Sequence, residues 1–349
     1  MKSDIKTYTF FLLVTFGIAV AIYTLMKQSF GPAGPIFLLT AAGQVHFIMA
    51  YIWSLPAYRR WPASIVVENI FLFGVIGALI FFAFYQIPLL DKNQVWLIVI
   101  LLAVLHFARD YRYFLNQISS NFYNRERPLA WTLLLASLFF AAFFGLLLKF
   151  PLQETFLFYP EYPVPTLWHQ IIFFSSIGAV VVAFFYLRAS WGRWRKILAP
   201  ENFLSFGAFA LPVGVLPLVQ SVTLMDMILF VAFWHLVQWD GFTILKISGR
   251  GKLSSLKPAS HTTLGIVDTL QKLWGRSVPH YIGITALYDA ILLGPFFFMI
   301  SWGVWPNFTT AVNQSFFWGL PGYALFSSLH FVFTALLAYH AQKATYLRS

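Results

Sequence analysis

The chain has 349 residues, of which 59% are hydrophobic, 20% aromatic and only 10% charged, against about a quarter charged in a soluble domain. That balance excludes a soluble globular fold, and the absence of cysteine excludes disulfides, thiolate metal ligands and cysteine nucleophiles. The net charge of +11 is the excess that lysine and arginine leave on the cytoplasmic rims of membrane spans, and no nucleic-acid partner is expected from it.

Apolar runs of around 20 residues recur along the chain, each long enough to cross a ~30 Å hydrocarbon layer. They predict an all-α, polytopic transmembrane helical bundle of about ten spans, forming a single integral membrane domain over residues 1–349. The first span, Tyr8 to Met26, follows Met1-Lys-Ser-Asp-Ile-Lys6 without a small-residue cleavage site and reads as an uncleaved helix. A tight Gly/Pro turn leads into span 2, Gly31 to Ser54. Span 3, Ser64 to Leu90, begins near Glu68 and is closed by Asp91-Lys92. Span 4 runs from Gln94 to Ala108 and ends in His106-Phe-Ala-Arg-Asp110. The segment 111–128, rich in aromatics and arginine, suits the headgroup zone and membrane-lipid partners.

Span 5, Leu129 to Phe150, is followed by Pro151, Pro160, Pro163 and Pro165, a proline density that forbids a helix in that connection. Span 6 covers Thr166 to Tyr186. Span 7, Asn202 to Gln220, contains Pro212 and Pro217 and is expected to kink. Span 8 runs from Thr223 to about Lys246, span 9 from Tyr281 to Gly303 and span 10 from Phe317 to His340. Between spans 8 and 9, the link 248–279 places Leu264, Val267, Leu270 and Leu273 at helical spacing opposite Lys272 and Arg276, the pattern of an amphipathic interfacial helix.

With the N-terminus cytoplasmic, 20 of the 23 basic residues fall inside and only Lys27, Lys92 and Lys149 outside. The positive-inside rule therefore predicts both termini cytoplasmic and an inner-membrane, multi-pass location. Spans 2, 4, 8 and 10 then all run inward. Counted from their outer starts, His46, His106, His235 and His330 lie 12 to 15 residues deep, or about 18–22 Å at 1.5 Å per residue.

Four neutral imidazoles sharing one layer can fill the coordination sphere of Fe(II), Zn(II) or Cu(II). The plainer reading is that each buried histidine hydrogen-bonds a neighbouring helix. Asp289 on span 9 is expected at the same level, where a hydrogen bond to a ligating imidazole would offset the cost of its burial. Gln238, one turn after His235, and Gln44, two residues before His46, are candidates for the same role. Glu68 and Asp110 are expected to pair with rim arginines, and His169, His261, His280 and His340 to be interfacial.

Spacing removes several chemistries. No H-x3-H or H-x2-H-H cluster of a membrane di-iron desaturase is present, and every lysine falls at a rim, so a mid-span Schiff base is not available. A bis-histidine haem would use only two of the four imidazoles. A transporter or assembly subunit, with its histidines in proton transfer or packing, is the non-enzymatic alternative, because the kinked span 7 and Asp289 also suit transport.

Four short stretches resemble the bacterial membrane β-carotene dioxygenases of the Brp/Blh family: Val45-His46-Phe-Ile-Met-Ala50, Leu105-His106-Phe-Ala-Arg-Asp110, Phe233-Trp-His235-Leu-Val-Gln238-Trp239 and Leu329-His330-Phe-Val-Phe-Thr334. The chain departs from that pattern at Ala50, Trp239 and Thr334, where the family carries Asp, His and Asp. The resemblance implies a four-histidine non-haem Fe(II) site that activates dioxygen beside a hydrophobic small-molecule substrate. The expectation is therefore an oxygenase acting on an isoprenoid, carotenoid or acyl lipid, with aromatic walls such as Phe233, Trp234, Trp239 and Phe331.

Overall fold

A computed structural model describes residues 2–58, 102–111, 166–191, 224–248, 273–315, 317–319 and 322–334, with isolated positions at 67–79, 99–100, 114 and 134–141. Among these residues every regular element is a helix and none is a strand. The helices are α1 (Lys2–Phe30), α2 (Ala33–Tyr58), α3 (Thr166–Trp191), α4 (Leu224–Ile247), α5 (Val278–Ser301) and α6 (Phe308–Gln314), with further helical stretches at 102–111 and 322–334. Three of them contain segments long and apolar enough to cross a membrane: Thr7–Phe30, Asp226–Leu245 and Val278–Ser301. These are the mark of a membrane protein. Span 7, most of spans 3 and 5 and the amphipathic residues Leu264, Val267, Leu270 and Lys272 lie outside the described residues.

The chain divides into two compact units, residues 1–17 with 90–231, and residues 18–89 with 232–349. In the first, Phe11 meets Phe114 edge-on at 6.0 Å and Phe16 meets Phe230 at 5.6 Å. The 102–111 stretch buries Val104, Phe107, Ala108 and Tyr111. Helix α3 instead leaves Leu167, Phe174, Val182 and Phe185 exposed, as a lipid-facing helix does, since hydrocarbon solvates apolar side chains without cost.

In the second unit α2 packs on α5 and α6, and α5 on α6. The α1–α2 turn depends on glycine twice. Gly31 holds a left-handed φ of 60°, and a Cβ on Gly34 would stand 2.2 Å from the Met26 carbonyl oxygen, so only hydrogen allows the two helices to turn this closely. Helix α5 starts where the Ser277 side chain accepts from the His280 amide, with proline at its first turn. It stops at a Schellman motif, in which Val304 N donates to Met299 O and Gly303 N to Ile300 O, both at 3.0 Å, with Gly303 at φ 75°. Replacing Gly303 with alanine should cost about 1–2 kcal/mol, the price of a left-handed L-residue, read as a lowered unfolding midpoint in detergent.

The C-terminal helix starts later than the Phe317 expected for span 10, because residues 317–319 form a turn. Asn307 accepts from Thr310 N at 2.9 Å and starts α6. That helix ends at Ser315 in an extended conformation, and helix resumes at 322. The carbonyls exposed by the break are taken up by α2: Thr40 Oγ1 donates to Trp318 O at 2.9 Å and Gln44 Nε2 to Phe317 O. Ser315 Oγ accepts from Trp318 N at 3.1 Å, and Trp318 Nε1 donates to Leu292 O on α5 at 3.0 Å. Irregular backbone survives among apolar helices only when its polar groups are met in this way.

Candidate metal centre

Three of the four histidines gather in the second unit. His46 comes from α2, His235 from α4 and His330 from the 322–334 helix. His235 and His330 are each only 2% exposed, and His46 is half-buried. The His46 ring centroid lies 4.9 Å from that of His330 and 6.0 Å from that of His235, with interplanar angles of 67° and 77°. Ligand nitrogens of His46 and His330 lie within 4.8 Å of one another. With metal–nitrogen bonds of about 2.0–2.1 Å, two rings on one ion would have centroids about 4.5–6.5 Å apart. The ring spacings therefore suit a shared ion, and of these residues His46 and His330 belong to a buried group whose ligand atoms lie close enough together to hold one.

Packing brings them there. Helix α2 approaches the 322–334 helix closely at Gly43, where a Cβ would come 3.1 Å from the Tyr323 ring. One turn further along α2 is His46, and two turns beyond Tyr323 is His330. Phe47 locks the pair from the side, 4.9 Å from the His330 ring and 6.0 Å from Tyr323. On α4, Trp239 lies one turn from His235 and meets the His46 ring at 5.7 Å. The rings tilted or edge-on to the imidazoles, Phe47, Trp239 and Phe331, are uncharged, so the donors would meet a metal as neutral imidazoles in a water-poor setting.

His106 belongs to the first unit, on the 102–111 helix. Its Nε2 is 3.2 Å from Asp110 Oδ2, an i, i+4 pair, and its Nδ1 is 3.1 Å from Arg109 Nη2. Arg109 also reaches Asp110 Oδ1 at 3.0 Å. An arginine can only donate, so His106 Nδ1 is the acceptor of that contact. Asp110 thus does pair with an arginine, as expected, and it is also 3% exposed and within ion-pair distance of an imidazole. The i, i+4 spacing of His106 and Asp110 was the available signal for that second contact. Replacing Asp110 with asparagine should cost about 1.5–3 kcal/mol, the usual worth of hydrogen bonds to a charged group, measured by denaturation of the purified protein.

Gln238 is fully buried on the histidine side of α4, one turn from His235. Gln44 is committed through its Nε2 to the backbone of the break. Asp289 is half-buried on α5. Asp240 accepts a 2.5 Å hydrogen bond from the Tyr281 hydroxyl. Trp274 stacks on Tyr288 and donates from Nε1 to Thr285 Oγ1 at 3.3 Å, so α4, α5 and the turn before α5 share a polar seam. His280 is exposed at the start of α5 and contacts the Ser277 hydroxyl. His261, His340 and the side chain of His169 lie outside the described residues.

No family profile, curated protein or solved structure matches the chain. The fold and the site define an α-helical membrane protein with a buried histidine cluster capable of holding a metal.

Proposed function

We propose that this chain is an inner-membrane Fe(II)-dependent oxygenase acting on a lipid-soluble isoprenoid or acyl substrate. The observation that carries the reading is the convergence of His46, His235 and His330 from three helices into an aromatic, uncharged setting. His106 completes the donor set in this proposal on the strength of the common depth read from the sequence. Its neighbour Asp110 lies 3.2 Å from the ring's Nε2.

In such a nitrogen-donor site, iron supplies dioxygen activation. The chain's own residues bind and exclude. Phe47, Trp239 and Phe331 keep water from the imidazoles and offer a wall to an apolar chain entering laterally from the bilayer. The resemblance of the four histidine stretches to the Brp/Blh dioxygenases supports the same chemistry.

The proposed topology has ten spans and cytoplasmic termini. A reporter fused after Phe150 should then behave as external and one after Arg276 as internal; an external Arg276 overturns the orientation. For activity, the purified protein should consume oxygen with a carotenoid or lipid extract. The polar seam of Asp240, Tyr281 and Asp289 within the α4–α5 pair favours a second reading, proton-coupled transport. Solute uptake into vesicles without oxygen consumption by metal-loaded protein would decide for it.

A further inference from the structure

Each helix that carries one of the three clustered histidines also carries a buried polar side chain with unused hydrogen-bonding capacity. They are Gln44 at 3% exposure, Gln238 at 0% and Ser328 at 0%. Among the described residues, Gln44 Oε1, Ser328 Oγ and both amide atoms of Gln238 have no hydrogen-bond partner. Gln44 and Ser328 stand two residues from their histidines, about 200° around the helix and so on another face. Gln238 is three residues from His235, on the same face, and is followed by Trp239, whose ring touches His46 at 5.7 Å.

A buried amide left unpaired is costly, and an apolar residue of similar length would pack at that position without the cost. A carboxamide is also a specific recogniser, because it donates and accepts while remaining neutral. The described rings against His46 and His330 are aromatic and bring no cation, and the described cation nearest the proposed donor set, Arg109, is already paired with Asp110, so a neutral polar group suits the amide better than a carboxylate or phosphate.

We propose that Gln238 binds the neutral polar end of the substrate, a hydroxyl or carbonyl on an isoprenoid or acyl chain, so that the site selects an oxygenated lipid over a pure hydrocarbon and over an anionic lipid. The inference rests on the oxygenase reading for the site's purpose, but its test needs no turnover. A site built to hydrogen-bond a hydroxyl discriminates against the analogue that lacks it, because the buried protein group is then stranded.

The full chain, as purified and placed in nanodiscs, is titrated with geranylgeraniol, with the hydrocarbon of the same length and with geranylgeranyl phosphate. Binding is read by native mass spectrometry and by the shift of the unfolding midpoint. The expected result is about tenfold tighter binding of the alcohol than of either other ligand. Gln238→Met should reduce that preference to less than about twofold without weakening hydrocarbon binding. Gln238→Asn, which keeps the amide but withdraws it by a methylene, should fall between.

Equal binding of alcohol and hydrocarbon by the wild type overturns the proposal even if both variants fail to fold. So does an undiminished alcohol preference in Gln238→Met. Oxygen uptake is measured on the same samples. Alcohol preference without uptake on any ligand sinks the oxygenase reading and leaves this inference standing, whereas uptake with no preference does the reverse.

Discussion

Replacing His235 with alanine should lower the iron-to-protein ratio of the purified protein at least about tenfold, since altering groups that merely orient metal ligands already costs 10- to 100-fold in affinity. His235 is 2% exposed and its ring stands 6.0 Å from that of His46. Truncation therefore removes a nitrogen donor and leaves a cavity that the surrounding rings only partly close. His46→Ala and His330→Ala should do the same. His280→Ala is the control, because that imidazole is exposed at the start of α5. Elemental analysis of the four variants separates a metal centre from a packing cluster: wild-type protein with normal stability and no metal would leave the histidines as core residues and remove the oxygenase proposal.

The second large effect is expected at Gly319. A Cβ there would fall 2.3 Å from the Ser315 carbonyl oxygen and 2.6 Å from that of Val312, and both obstacles are backbone. They cannot move without disturbing the break that Thr40 and Gln44 hold closed. Gly319→Ala should therefore destabilise by about 3 kcal/mol, the upper end of overpacking costs, and reduce the yield of folded protein. Gly178→Ala in α3 provides the contrast. Nothing lies within 4 Å of its added Cβ, so the helix should gain about 0.5–1 kcal/mol. Equal yields and midpoints for the two variants would show that the 315–319 backbone does not need glycine.

Helices α4 and α5 were legible because uninterrupted apolar runs set their extent: Thr223–Lys246 was expected and Leu224–Ile247 is found, Tyr281–Gly303 against Val278–Ser301. The break at 315–319 was not legible from its own neighbourhood. Its stability comes from Thr40 and Gln44, more than 270 positions away in sequence, and local propensity carries no trace of such partners. Among the histidines, common depth correctly suggested that His46, His235 and His330 could meet, since depth is what hydropathy reports. Rotation about the helix axis is not read from depth, so depth alone does not say which neighbours a side chain such as Asp289 meets. Asp110 is legible as an arginine partner, and its closeness to His106 follows from the two sharing one helix face.

The stitching of α2 to the 315–319 break sets an order of events in biogenesis. Thr40 meets its Trp318 partner across 278 positions, which at about 5–20 residues per second takes roughly 15–60 s to synthesise. Over that interval α2 has been made but the carbonyls it serves do not yet exist, and His46 equally waits for His330. A metal held between His46 and His330 could therefore be seated only after the 322–334 helix has been made. A chain arrested before residue 317 should emerge metal-free and be cleared by membrane proteases, however well its first helices have inserted.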